Sequence, residues 1–217
     1  MGKTIGCDAI LFDLDGVLID SSACIERHWQ HWARRHGLDM ADVMRVAHGR
    51  RSEETIQLVA PHLDAEEEAR HLEESEAGDS RGVLPAEGAL TLLNSLPRDT
   101  WAIATSGTRK VAVARLQHTG LPIPAVLVTA DDVVRGKPDP EPYLKAARGL
   151  GIPADRCVVI EDAQAGIEAG CSAGMQTVAI ASTYPAQALE KATIIARQLG
   201  DIQVEVGEDR RLVIRVE

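Results

Sequence analysis

The chain has 217 residues, a hydrophobic content of 45% and a formal net charge of -10. This length fits one α/β domain or a core domain with a smaller insertion, and the hydrophobic content is sufficient for a buried core. The negative charge argues against nucleic acid or an anionic membrane as a partner, so an anionic ligand needs local positive charge from a metal, a lysine or backbone amides.

Cysteine usage and the first residues of the chain both favour a reducing compartment. Residues 1–6 are polar and unlike a signal peptide, and no apolar run is long enough to cross a membrane. We therefore expect a cytoplasmic protein, and a monomer because no exposed apolar stripe stands out. The scattered cysteines contain no C-x-x-C pair and are expected to be unreactive thiols: Cys7, Cys24, Cys157 and Cys171.

The first third of the chain predicts one buried strand followed by helices. Residues 7–12, apolar except for Asp8, are typical of a short buried strand of a parallel sheet and lead directly into Asp13. The Glu-, Arg- and His-rich region that follows predicts a small helical bundle with a solvated outer face and no convincing strand. Its predicted helices are 22–36, 39–47, 52–63 and 64–77.

From residue 85 onward, strand-like and helix-like segments alternate, which indicates a doubly wound, Rossmann-like parallel sheet. The predicted strands are 101–105, 125–129, 157–160 and 176–180, followed by a β-hairpin at 202–206 and 212–216. The predicted helices are 108–118, 141–150, 165–173 and 186–191. We therefore predict a core domain of residues 1–20 and 86–217, with an all-helical cap, residues 21–85, inserted after the first strand.

Polar residues follow several predicted strands at their carboxyl ends, where open parallel sheets bind ligands. Asp13 and Asp162 supply the carboxylate oxygens that Mg²⁺ prefers, and Glu161 stands beside them as an outer partner or a helix N-terminal acid. Lys137 would neutralise a phosphoryl oxygen. These residues predict a site for phosphoryl transfer, which requires mainly positioning and electrostatic stabilisation.

A hydroxyl-bearing segment completes this predicted site. The Ser106 hydroxyl and the Gly107 amide form an anion cradle at the start of a helix, and Thr105 competes with Ser106 for the hydroxyl role. In the insertion, His48 and Arg51 flank a glycine and are candidates for substrate binding; a solvated interhelical turn is the alternative.

The segments Asp13-Leu14-Asp15-Gly16, Ser106, Lys137 and Glu161-Asp162 resemble, in the same order, the four motifs of the haloacid dehalogenase superfamily. The resemblance covers nearly the whole chain and is greatest to sugar-phosphate and glycerol-phosphate phosphatases and to β-phosphoglucomutase. It implies that Asp13 is a nucleophile that forms an aspartyl-phosphate. It also implies that Asp15 protonates the leaving alkoxide, deprotonates the attacking water and offers its main-chain carbonyl to Mg²⁺.

The leading hypothesis is a Mg²⁺-dependent phosphatase acting on a small sugar or polyol phosphate. A phosphomutase is the first alternative, but Ile25 stands where the mutases carry a cap histidine. A dehalogenase would need neither the acid Asp15 nor a metal. A non-catalytic metabolite-binding module would predict a broken motif, and all four motifs are intact. We expect the cap to close over the cleft about hinges near 19–22 and 82–88.

Overall fold

The structure is a computed structural model that describes residues 3–208 and 210–216. Its strands are β1 (Lys3–Cys7), β2 (Ala9–Phe12), β3 (Ile19–Asp20), β4 (Leu84–Pro85), β5 (Trp101–Ala104), β6 (Leu127–Val128), β7 (Cys157–Glu161), β8 (Gln176–Ile180), β9 (Ile194–Ala196), β10 (Ile202–Val206) and β11 (Leu212–Val216). Its α-helices are α1 (Ser22–His36), α2 (Met40–Ala47), α3 (Ser52–Val59), α4 (Ala65–Ala77), α5 (Ala89–Ser95), α6 (Arg109–Thr119), α7 (Glu141–Leu150) and α8 (Gln164–Ser172). Residues 1–2, in the segment compared with a signal peptide, residue 209, in the predicted hairpin turn, and residue 217 lie outside the described residues.

The core is a parallel sheet in the order β6-β5-β2-β7-β8-β9, with hydrophobic clusters on both faces. Strand β2 shows the alternation of side chains between the faces. Ile10 and Phe12 belong to one cluster, whereas Ala9 and Leu11 belong to the other. The predicted doubly wound α/β class is confirmed, and β2 lies between β5 and β7, so its carboxyl end is central.

The prediction of a single strand at residues 7–12 is wrong in one respect, because β1 ends before Asp8 and β2 begins after it. Strand β1 pairs antiparallel with β11, whereas β2 enters the parallel sheet. The amide of Asp8 donates to the carbonyl of Arg156 (2.8 Å) and its carboxylate pairs with the Arg156 guanidinium. Asp8 is the one charged residue in this run, and its position between the apolar residues is the sequence signal for the change of sheet. The predicted hairpin is confirmed as β10 and β11.

Other differences from the predicted elements concern short segments. The sequence pattern missed α5 and the three-residue strand β9. The helix predicted at 186–191 is a 3₁₀ turn, Ala186–Leu189. The helix predicted at 52–63 ends at Val59, since Pro61 disfavours helical geometry at the preceding Ala60, whose φ is −144°.

Helices α1 to α4 enclose a hydrophobic cluster of their own. The rings of Trp29 and Trp32 meet edge to face, 5.4 Å apart, and the indole N–H of Trp32 donates to Glu68 (2.9 Å). Both tryptophans are buried. The helical composition predicted for this region is therefore observed, while the boundary of the cap as a separate domain stays a prediction.

The two chain connections between these helices and the core lie side by side. Ile19 pairs with Pro85 and Asp20 with Leu84 in a short antiparallel ladder. The expectation that the inserted helical region contains no strand is therefore wrong, because β4 lies at its end. This ladder lies at the predicted hinges, and hinge motion itself stays a prediction.

Asp79 connects α1 to the segment that returns toward the core. Its carboxylate pairs with Arg27 (2.7 Å), Arg81 (2.9 Å) and His28 (3.2 Å). The hydrogen bonds from Arg81 and Arg27 hold the pKa of Asp79 well below its usual range. Cys24 and His28 lie close enough to Asp79 to suggest a metal trio. We assign no ion there, because the two guanidinium groups already neutralise the carboxylate.

Glu73→Gln is expected to stabilise the protein above pH 7. Burial, with the charges of Asp131 and Glu53, raises the pKa of Glu73 to about 7, although a hydrogen bond from Ser52 opposes the shift. In the unfolded chain Glu73 ionises near pH 4, whereas in the folded protein it keeps its proton up to about pH 7. The folded state therefore loses stability as the pH rises from about 4 to about 7, and the loss is complete above that range. Urea unfolding should show a gain of roughly 1–3 kcal/mol at pH 8 and none below pH 4. An equal difference at both pH values would contradict this assignment.

Candidate active site

The carboxyl ends of the central strands meet at one cavity of about 90 Å³ between the core and the helices α1 to α4. The core contributes Asp13 and Asp15 after β2, Thr105, Ser106 and Gly107 after β5, and Asp162 after β7. Backbone pairing fixes these ends, since the amide of Asp13 donates to the carbonyl of Ile160 (2.9 Å). The facing helices and loops contribute Ile25, Trp29, His48, Arg50 and Glu76.

Lys137 lies behind the cavity and is completely buried. Its ammonium donates to Asp13 Oδ1 (2.6 Å) and to Glu161 Oε1 (2.7 Å), and it lies 5.0 Å from the centre of the Tyr143 ring. Burial opposes the charge, but the two carboxylates outweigh it and raise the pKa of Lys137. The lysine is therefore charged and holds one oxygen of Asp13 in place.

Glu161 has all of its acceptor positions occupied. Oε1 accepts from Lys137 and from the Tyr143 hydroxyl (2.9 Å), and Oε2 accepts from the amides of Asp162 (2.8 Å) and Ala163 (2.9 Å). A carboxylate has about four lone-pair sites. Glu161 thus orients its neighbours rather than offering an oxygen to a ligand in the cavity.

Gly166→Ala is expected to displace Glu161. A Cβ at this position would lie 1.6 Å from Glu161 Oε1, a distance that no rotamer change of the alanine can relieve. The carboxylate would have to abandon its hydrogen bonds to Lys137 and Tyr143. We expect a loss of about 3 kcal/mol in the free energy of unfolding, measured with urea. Gly78→Ala, whose Cβ would have no neighbour nearer than 3.7 Å, is the control. Equal unfolding midpoints for both variants would contradict the prediction.

Asp13, Glu161 and Asp162 bring carboxylate oxygens within 4.8 Å of one another. Burial raises the pKa of Asp13 to about 7 against the opposing charge of Lys137. Burial and the charges of Glu161 and Asp13 likewise raise the pKa of Asp162 well above its usual range. One lysine cannot balance three buried carboxylates, so the set fits a hard divalent cation such as Mg²⁺. The saturated Glu161 leaves Asp13 and Asp162 as the direct ligands this geometry favours.

Gly16 is required by the close approach of Asp162 to the turn after β2. The glycine has a φ of +81°, and a Cβ there would lie 2.0 Å from Asp162 Oδ2. The Thr183 hydroxyl donates to the same carboxylate. The motif therefore requires glycine at this position, because a larger residue would displace the Asp162 carboxylate.

Asp15 is held by both of its carboxylate oxygens. Oδ1 accepts from the Ser21 hydroxyl (2.6 Å), and Oδ2 pairs with Arg115 Nη1 (2.7 Å). Sequence reasoning missed both partners. The position of Arg115 on α6 could have indicated a buried role, because it shares the buried face of the helix with Val111, Ala112 and Leu116. A charged residue on an apolar helix face requires a buried partner.

The hydroxyl-bearing segment also contacts the helical region. The Ser106 hydroxyl donates to the carbonyl of Gly49 (2.8 Å), whereas Thr105 Oγ1 accepts from the amide of Gly107 (3.2 Å). The Gly107 amide, which was predicted to bind an anion, is thus engaged by Thr105. Thr105 and Ser106 both line the cavity, and Ser106 would have to release the Gly49 carbonyl before it could donate to a ligand.

The two candidates from the helical region lie in different places. His48 lines the cavity, its ring 5.6 Å from that of Tyr184, and burial lowers its pKa. The Arg51 side chain does not line the cavity, since it donates to Glu54 (3.0 Å) and to the carbonyl of Val134 (3.1 Å). Arg51 therefore ties α3 to the loop that carries Lys137, while the neighbouring Arg50 lines the cavity.

No helix among residues 3–208 and 210–216 combines the length and hydrophobicity needed to cross a membrane.

The sequence and the fold of this chain are similar to those of known hydrolases. A family model described as haloacid dehalogenase-like hydrolase matches residues 10–180. Hexitol phosphatase A of Escherichia coli (strain K12) is 40% identical, with 96% of this chain and 99% of the relative covered. Glycerol-1-phosphate phosphohydrolase 2 of Saccharomyces cerevisiae is also 40% identical, with 82% and 76% covered. A crystal structure of a hydrolase from Pseudomonas syringae has a TM-score of 0.78 and 29% identity over 88% of this chain and 94% of that one.

Proposed function

This chain belongs to the haloacid dehalogenase-like hydrolases, and we propose that it is a Mg²⁺-dependent phosphatase of small sugar or polyol phosphates that acts through an aspartyl-phosphate. The observation that carries the proposal is the shared cavity of Asp13 and Asp15, with Lys137 fixing Asp13 from behind. Named relatives support the reaction class, since two that are 40% identical to this chain are named as a hexitol phosphatase and a glycerol-1-phosphate phosphohydrolase.

In the proposed reaction, the Asp13 carboxylate attacks phosphorus and forms an aspartyl-phosphate. Asp15 gives its proton to the departing alkoxide and then accepts a proton from the water that releases phosphate. Lys137 and the Ser106 hydroxyl would stabilise charge on the phosphoryl oxygens. When bound by Asp13, Asp162 and the main-chain carbonyl of Asp15, Mg²⁺ supplies positive charge that keeps the nucleophile ionised and offsets the substrate phosphate.

The cavity favours a neutral, hydroxylated leaving group. Its wall combines the apolar side chains of Ile25 and Trp29 with the hydroxyls of Ser21 and Ser22, and Glu76 adds a carboxylate. A second anionic group on the substrate would face that carboxylate, and Arg115 already pairs with two acids. Arg50 would then be the arginine of the cavity lining that remains to offset such a group. His48 and Arg50 are the residues of the facing wall that we propose select among sugar and polyol phosphates.

The proposed function predicts that Mg²⁺ and the leaving group determine activity. We expect phosphate release from hexitol and glycerol phosphates with Mg²⁺, complete loss on chelation, and recovery when Mg²⁺ is restored. Phosphoglycolate, which carries a second anion, should be hydrolysed at least about 10-fold less efficiently, the cost of about 1.4 kcal/mol of charge repulsion. Activity that survives chelation would contradict the metal dependence. Conversion of a sugar phosphate into its isomer without phosphate release would favour the phosphomutase, although Ile25 lines the cavity where the mutases carry a histidine.

A further inference from the structure

Two adjacent hydroxyl side chains, Ser182 and Thr183, lie in the loop that follows β8, beside the carboxylates of the cavity. The Ser182 hydroxyl donates to the main-chain carbonyl of Gly16 (2.6 Å). The Thr183 hydroxyl donates to Asp162 Oδ2, and Thr183 lines the cavity. The pair therefore contacts both of the chain segments that meet here, the turn after β2 and the residue that follows β7.

The contact with Gly16 fixes the turn in which the main-chain carbonyl of Asp15 lies. The Gly16 amide donates to the carbonyl of Ile19 (2.7 Å), and the Gly16 carbonyl accepts from Ser182. A trans peptide is planar, so its N–H and its C=O point in opposite directions. The Asp15 carbonyl therefore points away from Ile19, and it accepts no hydrogen bond from the part of the chain that the structure describes.

Asp162 is held through one of its two carboxylate oxygens. Its Oδ2 accepts from Thr183 and lies so close to Gly16 that a Cβ there would come within 2.0 Å. Thr183 and the turn after β2 thus hold the same oxygen from two sides. The other oxygen, Oδ1, accepts no hydrogen bond from any described residue, so it is the one left for a ligand in the cavity.

The loop that carries the two hydroxyls is anchored to the core on both sides of them. The amide of Ala181 donates to the carbonyl of Ala196 in β9 (2.9 Å). The side-chain amide of Gln164, at the start of α8, donates to the carbonyl of Ala188 (2.9 Å). Tyr184 packs against a hydrophobic cluster of residues from α8, β8 and this loop. A loop held in this way can keep its hydroxyls in fixed positions, as the orientation of a ligand requires.

We propose that Ser182 and Thr183 are positioning residues that set the affinity of the site for Mg²⁺. Ser182 holds the Gly16 carbonyl, so that the preceding carbonyl, that of Asp15, stays available to the ion. Thr183 holds Oδ2 of Asp162, so that Oδ1 stays available. The inference rests on the proposed function, which assigns Mg²⁺ to these oxygens. Metal ligands that lose their outer hydrogen bonds typically lose about 10- to 100-fold in metal affinity.

Titration of metal-free protein with Mn²⁺, with the free ion followed by electron paramagnetic resonance, measures this affinity without catalysis. Mn²⁺ is a suitable probe because carboxylate and carbonyl oxygens bind it as they bind Mg²⁺. Thr183→Val keeps the shape of the side chain and removes its hydroxyl, so we expect the Kd for Mn²⁺ to rise by about 10- to 100-fold. Thr183→Ser keeps the hydroxyl and should stay within about 3-fold of the wild type. Asp162→Asn, which removes a ligand, identifies the signal of this site.

Ser182→Ala provides an independent test that does not depend on the folding of Thr183→Val. Because Ser182 is exposed, water can replace part of its contact, and we expect a smaller rise in the Kd, of about 3- to 10-fold. The matched control is Thr91→Val on the exposed face of α5, which should leave the Kd unchanged. Thermal melting of the metal-free variants separates loss of fold from loss of metal binding.

Activity at two concentrations of Mg²⁺ adds a second measurement for Thr183→Val. At limiting Mg²⁺ its phosphate release from glycerol phosphate should fall with the metal occupancy. At saturating Mg²⁺ its kcat should return to within about 3-fold of the wild type, because the hydroxyl acts only through the metal ligand.

The outcomes distinguish this inference from the proposed function. Unchanged Kd values in both Thr183→Val and Ser182→Ala, beside a wild type that binds Mn²⁺, would overturn the positioning role alone. A loss of kcat in folded Thr183→Val that persists at saturating Mg²⁺ with an unchanged Kd would also overturn it. A wild type that binds Mn²⁺ but releases no phosphate would overturn the proposed function, and the Kd values would still decide the role of the two hydroxyls. A wild type that binds no Mn²⁺ would overturn both.

Discussion

Replacing Asp13 by asparagine will abolish phosphate release while the fold remains intact. The amide is a poor nucleophile and lacks the charge that Mg²⁺ requires, so the variant loses both the attacking atom and a metal ligand. We expect kcat to fall by about 10⁴-fold or more, as for other enzymes that lose a nucleophile. Phosphate release from glycerol phosphate under saturating Mg²⁺ is the measurement.

The fold should survive this change, because Lys137 keeps its pairing with Glu161. The thermal midpoint of the metal-free Asp13→Asn variant should therefore be no lower than that of the wild type. Asp155→Asn is the control, since Asp155 is an exposed aspartate outside the cavity, and it should retain full activity. Activity of Asp13→Asn within 10-fold of the wild type would remove Asp13 from the role of nucleophile.

Lys137→Met is expected to destabilise the protein and to suppress catalysis together. The lysine is fully buried and pairs with Asp13 and Glu161, so methionine fills similar space but leaves two carboxylates without a counter-charge. Removal of one partner of a buried ion pair costs about 3–5 kcal/mol. Loss of the charge beside the phosphoryl group should further lower kcat by about 100-fold or more.

Urea unfolding and phosphate release measure the two effects of Lys137→Met separately. Arg135→Met is the matched control, because Arg135 lies in the same loop but its side chain is 75% exposed, and its loss should change the free energy of unfolding by less than about 1 kcal/mol. A Lys137 variant as stable as this control would contradict the buried charge network.

The sequence predicted which residues come together at the candidate site, because motif residues follow strands and parallel strands deliver their carboxyl ends to one edge. The strand order and the family resemblance were sufficient to predict that Asp13, Lys137 and Asp162 lie close together. The resemblance itself is confirmed by the family model and by the named relatives. Substrate class, metal and site roles stay proposals that the experiments above address.

The facing wall could not be predicted in the same way, because helix orientation depends on tertiary packing. Arg50 and Arg51 are adjacent in sequence, yet one lines the cavity and the other ties α3 to the Lys137 loop. Nothing in a pair of neighbouring arginines distinguishes these directions. Arg115 and Glu76 lie 39 residues apart and meet only after the helical region folds onto the core.

The measurement that tests the account most directly is chemical trapping of the phosphorylated enzyme. The wild type is mixed with p-nitrophenyl phosphate and Mg²⁺, quenched in acid within one turnover, reduced with borohydride and analysed by peptide mass spectrometry. We predict conversion of Asp13 to homoserine, the product of a reduced acyl phosphate, in the peptide that contains residues 9–20. A quenched enzyme that carries phosphate on a different residue, or that releases phosphate with Asp13 always unmodified, would contradict an aspartyl-phosphate at Asp13.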